Sequence, residues 1–227
     1  MSSPSGTHVV LLPVKPPARG KSRLVGLPDE ARAALARAFA LDTAEACLAT
    51  SRVGAVLVVT DDAFFATEVR ALGCTVIPDG VSGDLNGTLV QAAAEARRRW
   101  PALRPAALCG DLPALRPDDL GRALGDAGEA GAGEAAGAGG AGDPSPAFVA
   151  DAVGTGTTLY SSSYAAFEPR FGPDSARLHR DGGATPLAGE LASLRHDVDT
   201  LDDLREVRAL GLGPRTMLAA LRAGVTL

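Results

Sequence analysis

Two uninterrupted apolar runs separated by a helix-length stretch constrain this chain more than any other feature. Residues 8–14 (HVVLLPV) and 53–60 (VGAVLVVT) show no alternation of apolar and polar side chains. That is the pattern of strands buried on both faces of a parallel sheet. Between them, residues 28–50 read as a helix. Pro28 suits the first turn, Asp29 and Glu30 suit its positive end, and the interior is rich in Ala and Leu. The alternation continues with a short helix at 63–72 ended by Gly73, a third strand at 74–77 and a third helix at 88–100. A fourth strand at 106–109 runs into Gly110-Asp111-Leu112-Pro113, and 118–124 read as another helix with Pro117 and Asp118 near its start. Strands at 147–150 and 157–160 follow, then a last helix at 199–210 capped by Thr200 or Asp199. Such βαβ alternation with short connections predicts an α/β fold, a mostly parallel sheet flanked by helices on both faces. Ligands of such a sheet gather at the strand C-termini.

A length of 227 residues fits one domain, here 1–227. Residues 125–146 (GDAGEAGAGEAAGAGGAGDPSP) lack apolar side chains large enough to offset their ordering entropy. They are expected to form a flexible Gly/Ala-rich surface insertion rather than a domain linker.

Composition removes several classes of function. The apolar run near the N-terminus, Val9 to Val14, is only six residues and lacks a signal-peptide pattern, so a cytoplasmic protein with no membrane partner is expected. Three cysteines without a C-x-x-C pair, and three scattered histidines, argue against a disulfide framework or a zinc site. A net charge of -5 and 4% aromatic residues argue against nucleic-acid binding.

Of 22 basic residues only two are lysines, Lys15 and Lys21, and both lie in one loop after the first strand with Arg23 close by. A compact ammonium is a common partner for phosphate oxygens, although a solvated basic loop has the same appearance. Gly20-Lys21-Ser22 is not the end of a Walker A loop, because the glycine that motif needs is replaced by Lys15. Gly154-Thr155-Gly156-Thr157 does not open a dinucleotide fingerprint, since position 159 is Leu159. Asp111 directly follows a buried strand, and Asp197 and Asp199 stand in His-Asp-Val-Asp-Thr before the last helix. Carboxylates from two distant segments facing a basic loop suit a divalent cation that bridges phosphate oxygens. Helix capping accounts for Asp111 and Asp199 equally well.

These residues together resemble a known family. Pro13-Val14-Lys15 with Gly20-Lys21-Ser22-Arg23-Leu24, and Gly110-Asp111-Leu112-Pro113, are similar to nucleotidyltransferases of glycosyltransferase-A-like, Rossmann-like fold. Gly154-Thr155-Gly156-Thr157, Arg170-Phe171-Gly172-Pro173-Asp174-Ser175 and Asp197-Val198-Asp199-Thr200 resemble the guanylyltransferases of coenzyme F-420 biosynthesis. Those enzymes use phosphoenolpyruvate or 2-phospho-L-lactate as acceptor. The resemblance implies metal-binding roles, toward Mg²⁺, for Asp111 and Asp197. It implies that Thr157, Gly172 and Ser175 hold the phosphorylated three-carbon acid. Lys15, Lys21 and Arg23 would cradle GTP, Asn86 would lie near the base and ribose, and Lys15, Lys21 and Asp111 would serve catalysis. The implied reaction is transfer of GMP from GTP to phosphoenolpyruvate with release of pyrophosphate. Rival readings are a 2-phospho-L-lactate acceptor, another phosphorylated acceptor, or a non-catalytic nucleotide-binding module.

Overall fold

The computed structural model describes residues 6–16, 24–81, 83–129 and 145–227. Seven strands form one sheet in the order β3-β2-β1-β4-β6-β5-β7. β1 (His8–Pro13) lies centrally, parallel to β2 (Val53–Val59) on one side and to β4 (Arg104–Leu108) on the other. β3 (Thr75–Ile77) extends the parallel part beyond β2. β6 (Thr157–Ser161) runs antiparallel to both β4 and β5 (Ala147–Ala150), and the two-residue β7 (Thr185–Pro186) closes the edge parallel to β5.

The apolar runs are buried on both sides of the sheet. Val10 and Leu12 of β1, with Val56 and Val58 of β2, face a layer formed by α1 (Asp29–Ala49), α2 (Ala63–Leu72) and α4 (Pro117–Glu129). Val9, Leu11, Leu57 and Val59 face the opposite layer, which holds α3 (Leu85–Arg99) and α5 (Ser175–Asp181). A strand covered twice cannot alternate apolar and polar residues, which is why these runs are continuous.

Several boundaries differ from the sequence reading. α3 starts three residues earlier than expected, because the Asp84 carboxylate caps it by accepting from the N–H groups of Asn86 and Gly87. That places Asn86-Gly87 in the first turn instead of in a loop. α4 continues to Glu129, into the segment read as insertion: Leu124 and Ala127 are buried against the sheet, and the Ala127 carbonyl accepts from Arg104 Nη1 at 3.1 Å. Residues 130–144 of that insertion lie outside the described residues. The expected helix at 199–210 is α7 (Leu201–Val207) followed by a 3₁₀ turn. Its cap is Thr200, in a reciprocal capping box with Asp203, and not Asp199.

Two short helices, α6 (Ala192–Arg195) and α8 (Pro214–Arg222), have no counterpart in the sequence reading. α8 is held by Asp42, a carboxylate buried in the middle of α1, which accepts from Thr216 N at 2.7 Å and from Arg215 N at 3.3 Å. Gly213, at the entrance to α8, lies so close to Asp42 that a Cβ would sit 2.3 Å from its carboxyl carbon. Among the described residues no helix is long and apolar enough to cross a membrane.

Candidate active site

The C-terminal rim of the sheet collects the residues singled out above. β1 ends at Pro13, and Lys15 stands exposed just past that end. Val14 stays paired to the rim by donating to the Val59 carbonyl at 2.9 Å. β4 ends beside it, and a Cβ on Gly110 would lie 3.4 Å from the Pro13 carbonyl oxygen. Backbone this close sets Asp111 next to the segment carrying Lys15. Lys21 and Arg23, the other two members of the expected basic loop, lie outside the described residues.

The segment 110–113 is anchored from three sides. Leu112 N donates to Thr43 Oγ1 of α1 at 3.1 Å, the Pro113 carbonyl accepts from Gly213 N at 2.8 Å, and the Asp111 carbonyl accepts from Val198 N at 3.0 Å. The last bond draws Asp197-Val198-Asp199 alongside Asp111. It is backed by a separate apolar cluster in which buried Val198 packs with Leu24, Phe39, Ala114, Leu204 and Ala220. Backbone pairing and packing thus bring the Asp111 and Asp197 segments together. Among the described residues no group of three or more His, Cys, Asp and Glu side chains gathers into a protein-only metal site. Two carboxylates on a rim, completed by substrate phosphate oxygens, match how Mg²⁺ is usually held.

Thr157, Gly172 and Ser175 converge on the same rim from the other side of β4. β6 is antiparallel to β4, so its first residue, Thr157, lies at the β4 C-terminal end, where its carbonyl accepts from Cys109 Sγ at 3.4 Å. The preceding turn is wrapped around Asp151, whose carboxylate accepts from the N–H groups of Gly154, Thr155 and Gly156 at 2.6, 3.0 and 2.9 Å. The Thr155 carbonyl then receives Ala176 N at 3.0 Å, which docks the start of α5 on this turn. Gly172 has φ 130°, a conformation that side chains strain to adopt. Its carbonyl accepts from Ser175 N at 3.2 Å. Asn86 reaches this loop from α3, with Oδ1 accepting from Phe171 N at 2.8 Å and Nδ2 donating to Phe171 O at 3.0 Å. Both polar ends of its amide therefore hold the loop, and contact with a base would have to use the remaining N–H or lone pair.

Residues that sequence reasoning passed over do much of this positioning. Asp151 begins a D-x-x-G turn, a readable signal for a carboxylate that folds the following backbone around itself. Thr43 and Asp42 look like ordinary helix interior, and only the tertiary structure gives them partners. His179 lies four residues after Ser175, the spacing that places two side chains on one helix face. It is buried, with Nδ1 3.0 Å from Thr157 Oγ1 and Nε2 accepting from Arg170 N at 2.9 Å. Its ring stacks on Tyr160 and Phe148 at centroid distances of 4.6 and 5.6 Å. Burial, reinforced by the Arg170 charge and only partly opposed by hydrogen bonding to the Ser175 backbone, pushes the imidazole down to about 4.

The chain is similar to known proteins in sequence and in fold. Residues 8–142 match the family described as guanylyl transferase, CofC like. A phosphoenolpyruvate guanylyltransferase of Thermomonospora curvata is 48% identical over 218 residues, covering 95% of this chain and 90% of that protein. A protein of the same name from Streptomyces scabiei is 46% identical, covering 94% of this chain and 95% of its own. Among solved structures, one ascribed to the nucleotide-diphospho-sugar transferases, from Desulfovibrio desulfuricans G20, superposes with a TM-score of 0.62 at 17% identity, over 90% of this chain and 96% of that one. CMP:2-keto-3-deoxy-manno-octonic acid synthetase, complexed with CTP, superposes at 0.53 and 17% identity, over 90% and 98%. The structural matches share the fold, and the sequence matches carry the identity: the chain belongs to the CofC-like guanylyl transferase family of nucleotidyl-transferring enzymes.

Proposed function

We propose that the protein transfers GMP from GTP to phosphoenolpyruvate, in the biosynthesis of coenzyme F-420. A phosphate oxygen of the acceptor attacks the α-phosphorus of GTP, the bond to the β-phosphate oxygen breaks, and pyrophosphate leaves. The products are enolpyruvoyl-diphospho-guanosine and pyrophosphate. The attacking oxygen is already anionic at neutral pH, so the protein need only align the reactants and offset charge. Bound to Asp111 and Asp197, Mg²⁺ would neutralise phosphate charge in the transition state. Lys15, Lys21 and Arg23 take the triphosphate, with Lys15 and Lys21 stabilising the leaving pyrophosphate. Thr157, Gly172 and Ser175 hold the acceptor through hydroxyl and backbone N–H groups, which bind an anion without adding a titratable charge. Asn86 contributes by holding Phe171, and through it the acceptor loop. The free thiols of Cys47, Cys74 and Cys109 suit a reducing compartment, here the cytoplasm.

The observation that carries this reading is the Val198–Asp111 backbone bond, which joins the two carboxylate segments on the rim that also presents Thr157. Pyrophosphate release with GTP, CTP or ATP against a panel of phosphorylated acceptors tests it. Release that requires GTP, phosphoenolpyruvate and Mg²⁺ together supports the proposal, and GTP binding without release under any pairing contradicts it.

A further inference from the structure

The neutral His179 ring can carry only one hydrogen, and its surroundings decide where. The backbone N–H of Arg170 can only donate, so Nε2 must be the acceptor at 2.9 Å. The ring hydrogen is then on Nδ1, which faces Thr157 Oγ1 at 3.0 Å. A hydroxyl that accepts from Nδ1–H has its own hydrogen left to give. Thr157 thereby becomes a donor at the end of β6, the polarity that a phosphate or carboxylate requires. On its other side the same ring holds the backbone of the loop that runs through Phe171 and Gly172 into Ser175.

We propose that His179 is a positioning residue for the acceptor: one ring sets the donor direction of the Thr157 hydroxyl and clamps the Arg170 backbone, so that strand and loop form one preformed cradle. This inference rests on the reading of Thr157, Gly172 and Ser175 as the acceptor site. The ring is well suited to the task because it cannot turn. Tyr160 and Phe148 stack on it, Phe171 meets it edge-on at 5.5 Å, and it is 1% exposed. A flipped ring would set the carbons Cδ2 and Cε1 where Nδ1 and Nε2 now meet the Thr157 hydroxyl and the Arg170 N–H, and both hydrogen bonds would be lost. The Arg170 charge favours the neutral ring, and the Glu168 carboxylate, which lines the same small cavity as the ring, is itself paired with Arg170 at 3.3 Å.

The test is steady-state kinetics of the full chain with GTP and phosphoenolpyruvate. His179→Phe keeps an aromatic ring in the stack and removes both nitrogens. It should raise KM for phosphoenolpyruvate about tenfold, as expected for one lost hydrogen bond of binding, with kcat and KM for GTP within about twofold. The double variant His179→Phe/Thr157→Val should lose less acceptor binding than the two single losses added together, because His179 acts in part through that hydroxyl. An unchanged KM for phosphoenolpyruvate, an equal rise in KM for GTP, or fully additive losses would each overturn the inference. Should the phenylalanine variant not fold, His179→Gln, with an acceptor for Arg170 and no donor at Nδ1, carries the same expectations. If the wild-type protein releases no pyrophosphate with these substrates, the proposed function falls and this inference with it. If the wild type is active and the variant is indistinguishable from it, only the inference falls.

Discussion

The N–H of Val198 donates to the carbonyl oxygen of Asp111 at 3.0 Å, joining two acidic segments from opposite halves of the chain. The bond uses backbone groups only. Val198 is fully buried between two half-buried aspartates, and its packing sets where the acidic pair stands. The local sequence Asp-Val-Asp has a simple physical reading: the apolar residue anchors in the cluster, and its two neighbours stay half-buried.

Asp111→Asn and Asp197→Asn should each lower Mg²⁺-dependent pyrophosphate release by about a hundredfold or more, the usual cost of losing one electrostatic partner of a transition state. The unfolding midpoint, measured alongside, separates a lost ligand from a lost fold. Near-normal turnover in either variant would remove that residue from the metal site. Asp199→Asn should do less, since Thr200 and Asp203 already cap α7.

Asp42→Ala should destabilise the fold by about 1–3 kcal/mol in denaturant titrations, because the N–H groups at the start of α8 lose a buried acceptor. Gly213→Ala should destabilise as well, since its Cβ would collide with the Asp42 carboxyl group. Through Gly213 N, which donates to the Pro113 carbonyl, both changes should also lower activity modestly. Unchanged stability in both variants would mean that α8 docks independently of Asp42.

Much of the architecture was legible in the sequence because the chain repeats one physical pattern. Continuous apolar runs such as residues 9–12 and 56–59 can only be strands covered on both faces, and the helices between them carry their own start and stop signals. Asp111 was placed by the strand before it, and Thr200 by its capping chemistry. What escaped depends on contacts between distant residues. α8 exists in its place because a buried aspartate within α1 receives it, and nothing local to either segment says so. The Asn86 amide reads as a polar group available to a ligand until Phe171 is seen against it. The tautomer of His179 follows only from its contacts with Arg170 and Thr157, which no local sequence signal announces.

Acid should weaken the fold through its two buried histidines. Burial, with the Arg104 and Arg52 charges added, pushes His8 down to about 4, and His179 is likewise lowered to about 4. Both rings titrate near 6.5 in the unfolded chain, so protons bind the unfolded state first. The stability held by each neutral ring is complete above that value and is lost as pH falls from 6.5 to about 4. Each ring accounts for about 1–3 kcal/mol over that window. Denaturant midpoints compared across the window should fall for the wild type and fall by less for His179→Phe. Parallel curves would show that His179 does not contribute.

Shortening the Gly/Ala-rich insertion should have opposite outcomes depending on where it is cut. Replacing residues 130–144 with a short Gly/Ser loop should leave activity and stability nearly unchanged, since closing a long surface loop costs little more than closing a short one. Starting the replacement at Gly125 should destabilise the protein, because it removes buried Ala127 and the carbonyl that receives Arg104. A large activity loss from the shorter cut would mean that residues 130–144 cover the site or bind a partner.

The most direct measurement is a competition. The protein is given GTP and Mg²⁺ with phosphoenolpyruvate and 2-phospho-L-lactate at equal concentration, and the guanosine adducts are separated by mass, which differs by two hydrogens. Both acids would offer one phosphate and one carboxylate to the proposed acceptor site, and they differ at the second and third carbons, a planar centre with a methylene in one and a tetrahedral centre with a methyl in the other. A pocket separates shapes this similar by about 1–3 kcal/mol, so a minor second product is expected. The enolpyruvoyl adduct should dominate, and it should vanish in Asp111→Asn. A mixture dominated by the lactyl adduct would contradict the choice of acceptor, and the absence of any guanosine adduct would contradict the proposed reaction itself.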